Sequence, residues 1–180
     1  MSRRTFVVVV LALGLTLIAG SGAALEPDKD GWYHTGQGVR VKTIAFINVK
    51  AYAIGHWVKK LPPVKSKQAV IDLDADKQLS FVMMRDVPEG KIKTMFRDAF
   101  ALNGYRDAKK IDAFLGVFTA ELEKGTHTTI RYDATKKATT IAVSGRSATI
   151  DSEEFMRATW SVWFGKSEQP ELGDALISKL

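Results

Sequence analysis

The sequence predicts a single α+β domain built on an antiparallel sheet. Three observations carry this. Four strand-like runs come first, two helical stripes follow, three more strand-like runs succeed them, and helices close the chain. Runs grouped in this way favour an antiparallel sheet with segregated helices over alternating βαβ units. No internal repeat, low-complexity tract or composition break divides the chain, and 46% hydrophobic with 26% charged residues over 180 positions is the composition of a folded domain.

Each element has its own reason. Residues 39–47 and 49–58 are rich in Val, Ile, Phe and Tyr and read as two strands with a break near Asn48. Gly36-Gln37-Gly38 before them reads as a loop, and Pro62-Pro63 ends the pair. Residues 69–73 and 78–85 read as two further strands joined by the turn residues Asp74-Ala75-Asp76-Lys77. Pro88 suits the first turn of a helix, and Ile92, Met95, Phe96, Ala99 and Phe100 recur at helical spacing before Asn103-Gly104 stops it. Asp107 caps a second helix with the stripe Ile111, Phe114, Leu115 and Phe118, and Gly125 lies past its end. Residues 126–133, 138–143 and 146–150 form a meander with a Ser144-Gly145 turn. Asp151 and Glu154 resemble a capping box. The helix they open carries apolar residues on two sides, Phe155, Ala158, Val162 and Trp163 on one and Trp160 and Phe164 on the other, so it is expected to be buried on both. Gly165 ends it, and 170–180 is a short terminal helix.

Residues 1–24 read as an export leader. Arg3 and Arg4 precede an apolar run from Phe6 to Ile18, and Ala19 to Ala24 supplies small residues for cleavage, so the mature domain is expected to span 25–180. A membrane anchor is the alternative, but about 13 apolar residues fall short of the ~20 that span a bilayer. After cleavage no integral membrane span is expected. The start also resembles a twin-arginine signal, leaving the general and twin-arginine routes both open. The expected location is periplasmic or secreted.

Composition excludes several chemistries. With no cysteine there are no disulfides, no thiolate catalysis and no lipid-bearing Cys at the cleavage site. His34, His56 and His127 lack metal-ligand spacing, so no metal is expected. Neither a P-loop, GxGxxG nor GxSxG occurs, and no cofactor is expected. Without Arg3 and Arg4 the 26 basic residues become 24 against 20 acidic ones, spread along the chain. The pairs Lys59-Lys60, Lys109-Lys110 and Lys136-Lys137 read as solvated surface, and no nucleic-acid partner is expected.

The stretch GVRVKTIAFINVKAYAIGHW (38–57) resembles the opening hairpin of the chalcone isomerase family. Phe81 to Val87, the helix 91–103, the hairpin 125–143, and Phe155 to Gly165 with Pro170-Glu171-Leu172 extend the resemblance over nearly the whole mature chain. It implies an open-faced β-sandwich, an antiparallel sheet with helices layered on one face and a ligand cleft between. In true chalcone isomerases an arginine, two threonines, a tyrosine and an asparagine serve that cleft. Here the arginine matches Arg40. The threonine positions hold Tyr52 and Val162, the tyrosine position Lys91 and the asparagine position Asp98. The isomerase set is therefore not kept.

The pair Arg40 and Tyr52 resembles instead the carboxylate grip of the family's non-catalytic, fatty-acid-binding members. The implied ligand is a small amphipathic anion such as a fatty acid, with Met95, Phe96 and Val162 lining its tail. Two other readings stay open. One is an isomerase or lyase on another substrate, using Arg40 with Tyr52, Lys91 or Asp98. The other is an envelope assembly partner with a filled core. Taken alone, Arg40 also fits an edge-strand surface residue and Tyr52 a core aromatic; whether the two share a face depends on hairpin register.

Overall fold

A computed structural model describes residues 25–180. The expected leader lies outside the described residues. Strands β1 (Tyr33–Ile44) and β2 (Ile47–Val58) form a hairpin of 12 residues a side. Its turn is Ala45-Phe46, both in the left-handed region at φ 47° and 69°, not the expected break near Asn48. Such two-residue turns usually announce themselves with Asn-Gly, and this one has neither. β1 also starts earlier than expected and contains Gly36 and Gly38. Lacking side chains, these glycines show no periodicity in sequence. A Cβ at Gly36 would sit 2.2 Å from the carbonyl oxygen of Ala175, so the C-terminal helix lies directly on this strand.

The expected strand over 69–73 is instead α1 (Lys67–Asp72). A five-residue run with four apolar positions, Ala69, Val70, Ile71 and Leu73, is ambiguous by periodicity. Ser66 decides at one end, its hydroxyl accepting from Ala69 N at 3.0 Å. Lys77 decides at the other. Its fully buried ammonium donates to the carbonyls of Val70 and Ile71 at 2.7 and 3.0 Å and lies 4.8 Å from the Trp160 ring. Burial, with a smaller push from Arg157, lowers its pKa to about 7.

β3 (Lys77–Met83), β4 (His127–Asp133), β5 (Ala138–Val143) and β6 (Arg146–Asp151) complete a six-stranded antiparallel sheet whose spatial order follows chain order. Between β3 and β4 come α2 (Glu89–Leu102) and α3 (Ala108–Leu115), the latter capped by Asp107 as expected. α3 is capped at Gly116, well short of Gly125, and Phe118 reaches the core from the turn beyond the helix, its N–H donating to the Leu115 carbonyl at 3.1 Å. α4 (Glu153–Phe164) is capped by Ser152 rather than Asp151, and α5 (Pro170–Ala175) closes the chain. The helices layer on the sheet, the open-faced arrangement the resemblance implied. α4 is buried on two sides, with Phe155, Met156 and Trp160 wholly inside.

One buried polar chain ties these layers together. Trp160 Nε1 donates to His56 Nε2 at 3.0 Å. An indole N–H only donates, so Nε2 accepts and His56 Nδ1 carries the proton. Nδ1 donates to Thr35 Oγ1 at 2.7 Å, and that hydroxyl donates to the carbonyl of Leu176 at 2.8 Å. β1, β2, α4 and the end of α5 meet at this point. Burial, reinforced by Lys77, lowers the His56 pKa to about 3.

Candidate functional site

The inner face of the β1–β2 hairpin, α2, α4 and the loop 165–169 enclose a cavity of about 540 Å³. Small-ligand pockets commonly run ~300–1,000 Å³ with mostly apolar walls. The wall here includes Ala51, Met83, Met95, Val162, Trp163 and Leu172.

The hairpin register places its polar end. Arg40 and Tyr52 are direct cross-strand partners, so their side chains share the cavity face. Immediately beyond them the register shifts, with Val41 opposite Lys50 and Ala51 as the extra residue. A bulge of this kind re-aims side chains. Tyr52 lies on the inner side of it, and Ala51 and Val49 reach the same cavity on the outer side.

Tyr52 is 3% exposed and its hydroxyl accepts from Trp163 Nε1 at 3.0 Å. The Tyr52 O–H has no acceptor of its own among the described residues. Burial raises its pKa, outweighing the Trp163 hydrogen bond and the Arg40 charge, so Tyr52 is a neutral donor.

Arg40 is mostly buried, its side chain 14% exposed. It is already paired. Nη2 donates to Glu168 Oε2 at 2.7 Å and Nη1 to Gln169 Oε1 at 3.4 Å. Gln169 is stitched along β1, accepting from Val41 N at 2.9 Å and donating to the Val39 carbonyl at 3.1 Å. The loop carrying both residues is fixed from the other side by Asn103, which accepts from Lys166 N at 2.8 Å and donates to its carbonyl at 3.0 Å. Glu168 itself remains 66% exposed. Nothing in the stretch Ser167-Glu168-Gln169 marks these residues in sequence. They reach Arg40 only because α4 and α5 turn the chain back over β1.

The other expected site residues divide. Met95 and Val162 stand in the wall. Phe96 does not: it is fully buried one layer behind, its ring 6.0 Å from Trp163 and 5.9 Å from Phe118. One helical position separates the two fates, since α2 shows Met95 to the cavity and Phe96 to the core. Lys91 and Asp98 lie on the rim and are exposed. With Lys42, Arg85 and Lys166, Lys91 belongs to a set of rim cations with no carboxylate within 4 Å among the described residues. Asp86 on the same rim accepts from Lys124 N at 2.7 Å. Among the described residues no three His, Asp or Glu gather to hold a metal ion.

A family model described as chalcone isomerase-like matches residues 30–176. No curated protein matches the chain. Among solved structures, a fatty-acid binding protein of Arabidopsis thaliana superposes with a TM-score of 0.67 at 13% identity, covering 84% of this chain and 89% of that one. At that identity the likeness establishes the fold.

Proposed function

The chain belongs to the chalcone isomerase-like family, and from that premise we propose that it is a non-catalytic binding protein for a small amphipathic anion such as a fatty acid. The observation that carries this is the cross-strand pairing of Arg40 with Tyr52 at the wall of a mostly apolar cavity. A guanidinium presents a planar fork that fits a carboxylate, and a neutral phenol with a spare proton adds a second donor. The position proposed for the ligand's carboxylate is the one where Glu168 meets the Arg40 guanidinium. A half-solvated ion pair of this kind is worth only about 0–1 kcal/mol. Each tail methylene moved from water into the cavity is worth about 0.8 kcal/mol, so a fatty acid displaces Glu168 readily. The Arabidopsis neighbour, described as a fatty-acid binding protein, supports the same reading.

The isomerase reading is weaker. Of its proton-transfer candidates, Lys91 and Asp98 stand in solvent at the rim, where water competes with any transfer, and Tyr52, though buried in the wall, is held in its neutral form by that burial and is no ready base. An assembly partner with a filled core does not account for a cavity of about 540 Å³.

Calorimetric titration of delipidated protein with medium- and long-chain fatty acids tests the proposal. Wild type is expected to bind saturably. Glu168→Gln removes the internal competitor and is expected to bind a few-fold more tightly, up to about fivefold for about 1 kcal/mol. Failure of wild type to bind any of these acids, or enzyme-like saturable turnover of a chalcone, overturns the proposal.

Export is part of the same reading. No helix among the described residues is long and apolar enough to cross a membrane. Mass analysis of protein released by osmotic shock is expected to show a chain beginning near Leu25. Recovery only in membranes with Met1 attached contradicts export and release.

A further inference from the structure

The β1–β2 hairpin runs past the rest of the sheet. Its last pair with β3 is Tyr52 with Met83, and Ile47 lies five residues further out, about 17 Å at the usual strand rise. Apart from the bond from Val41 N to Gln169, the outer part of the ribbon, residues 41–50, pairs only with itself among the described residues. Phe46 at its tip is fully exposed and Ile47 is 67% exposed. Phe46 also sits in the left-handed backbone region at φ 69°, which disfavours bulky side chains. Neither solvation nor backbone preference explains a phenylalanine here.

Charge narrows what the tip meets. Residues 33–58 contain no Asp or Glu, while Arg40, Lys42 and Lys50 lie along the ribbon. Lys42 and Lys50 are exposed and have no carboxylate within 4 Å among the described residues. Lys42 joins Arg85, Lys91 and Lys166 at the cavity rim. An apolar tip backed by unpaired cations suits the boundary between acyl chains and anionic headgroups. Two such fingers packed together would set their lysines against each other, which disfavours a second copy.

We propose that this finger docks the protein on an anionic lipid surface. Phe46 and Ile47 enter the acyl boundary, and Lys42 and Lys50 meet headgroups. The inference stands whatever the cavity holds, because neither Phe46 nor Ile47 lines it.

The test is co-sedimentation with vesicles of phosphatidylcholine alone and of phosphatidylcholine with phosphatidylglycerol. The protein is the soluble chain recovered from expressing cells. Wild type is expected to bind the anionic vesicles at least tenfold more tightly than the neutral ones, and to lose that preference near 1 M salt, where the screening length is about 3 Å. Ala45→Asn/Phe46→Gly/Ile47→Ser installs a favoured turn while deleting the apolar tip. It is expected to keep the wild-type melting temperature or exceed it, and to bind vesicles at least tenfold more weakly. Fatty-acid titration without vesicles reads the cavity separately and is expected to change less than twofold. Equal sedimentation of variant and wild type overturns the proposal, as does absence of wild-type binding to anionic vesicles. Concentration-dependent dimerisation abolished by the variant also overturns it, making the finger a self-association surface.

Discussion

Arg40→Ala protein is expected to bind a medium- or long-chain fatty acid at least thirtyfold more weakly than wild type, while keeping its fold. The reason is what surrounds the guanidinium. It is largely withdrawn from water, and its one charged partner, Glu168, is itself mostly in solvent. A ligand carboxylate in that position forms a desolvated, forked pair. Losing one partner of such a pair typically costs about 2–5 kcal/mol. The fold survives because Gln169 keeps its two bonds to the backbone of β1, and Asn103 still holds the loop. Arg40→Lys keeps the charge but not the fork, so recovery is expected to be partial.

Tyr52→Phe removes one hydrogen bond to a charged group, about 1.5–3 kcal/mol of affinity. It also strands the buried Trp163 indole N–H, so its melting temperature is expected to fall, unlike that of Arg40→Ala. Titration of the four proteins beside their melting curves separates binding from stability. Arg40→Ala binding as tightly as wild type returns Arg40 to a structural role in fastening the loop.

The second large effect is on stability. His56→Ala is expected to cost about 3–5 kcal/mol, because it leaves a void between sheet and α4 and an orphaned Trp160 N–H. The same network makes the protein acid-sensitive. The unfolded chain takes up a proton at His56 below its ordinary pKa of 6.5, whereas the folded protein resists until about 3. The contribution of His56 is therefore full above pH 6.5 and is lost as pH falls toward 3, by up to about 5 kcal/mol.

In the interval from pH 6.5 to 5 this term is the largest. Lys77, lowered to about 7, finishes its protonation at the upper end, and the lowered carboxyls of Asp74, Asp107 and Asp133 titrate below the interval. His34, also lowered by burial but only partly enclosed, contributes a smaller slope of the same sign. His56→Gln keeps a donor and an acceptor but cannot be protonated. Denaturant midpoints across this interval are expected to fall for wild type and stay nearly flat for His56→Gln. A wild-type slope that His56→Gln leaves unchanged shows that the His56 ring does not govern it.

Much of the frame was legible because its signals are local. α2 shows its stripe within four turns, the β5–β6 turn carries Ser144-Gly145, and Asp107 caps the helix it precedes. The structure departs from the local signals where these are ambiguous or missing. The apolar run before Asp72 fits either element, and the Ala45-Phe46 turn lacks the residues that usually mark one.

By itself the sequence determined the α+β class and an antiparallel sheet, because periodicity, turn chemistry and residue type act over a few positions. Arg40 and Tyr52 became candidates only through the family resemblance, and the strand order came from the structure. Tertiary structure alone decided that Arg40 faces Tyr52 across the hairpin, that Glu168 and Gln169 reach it from about 130 residues away, and that Phe96 lies behind Met95 rather than in the cavity wall. It also decided that Lys77 is buried beneath Trp160. Register, loop return and burial are set by what packs across the core, and the partners in that packing are distant in the chain.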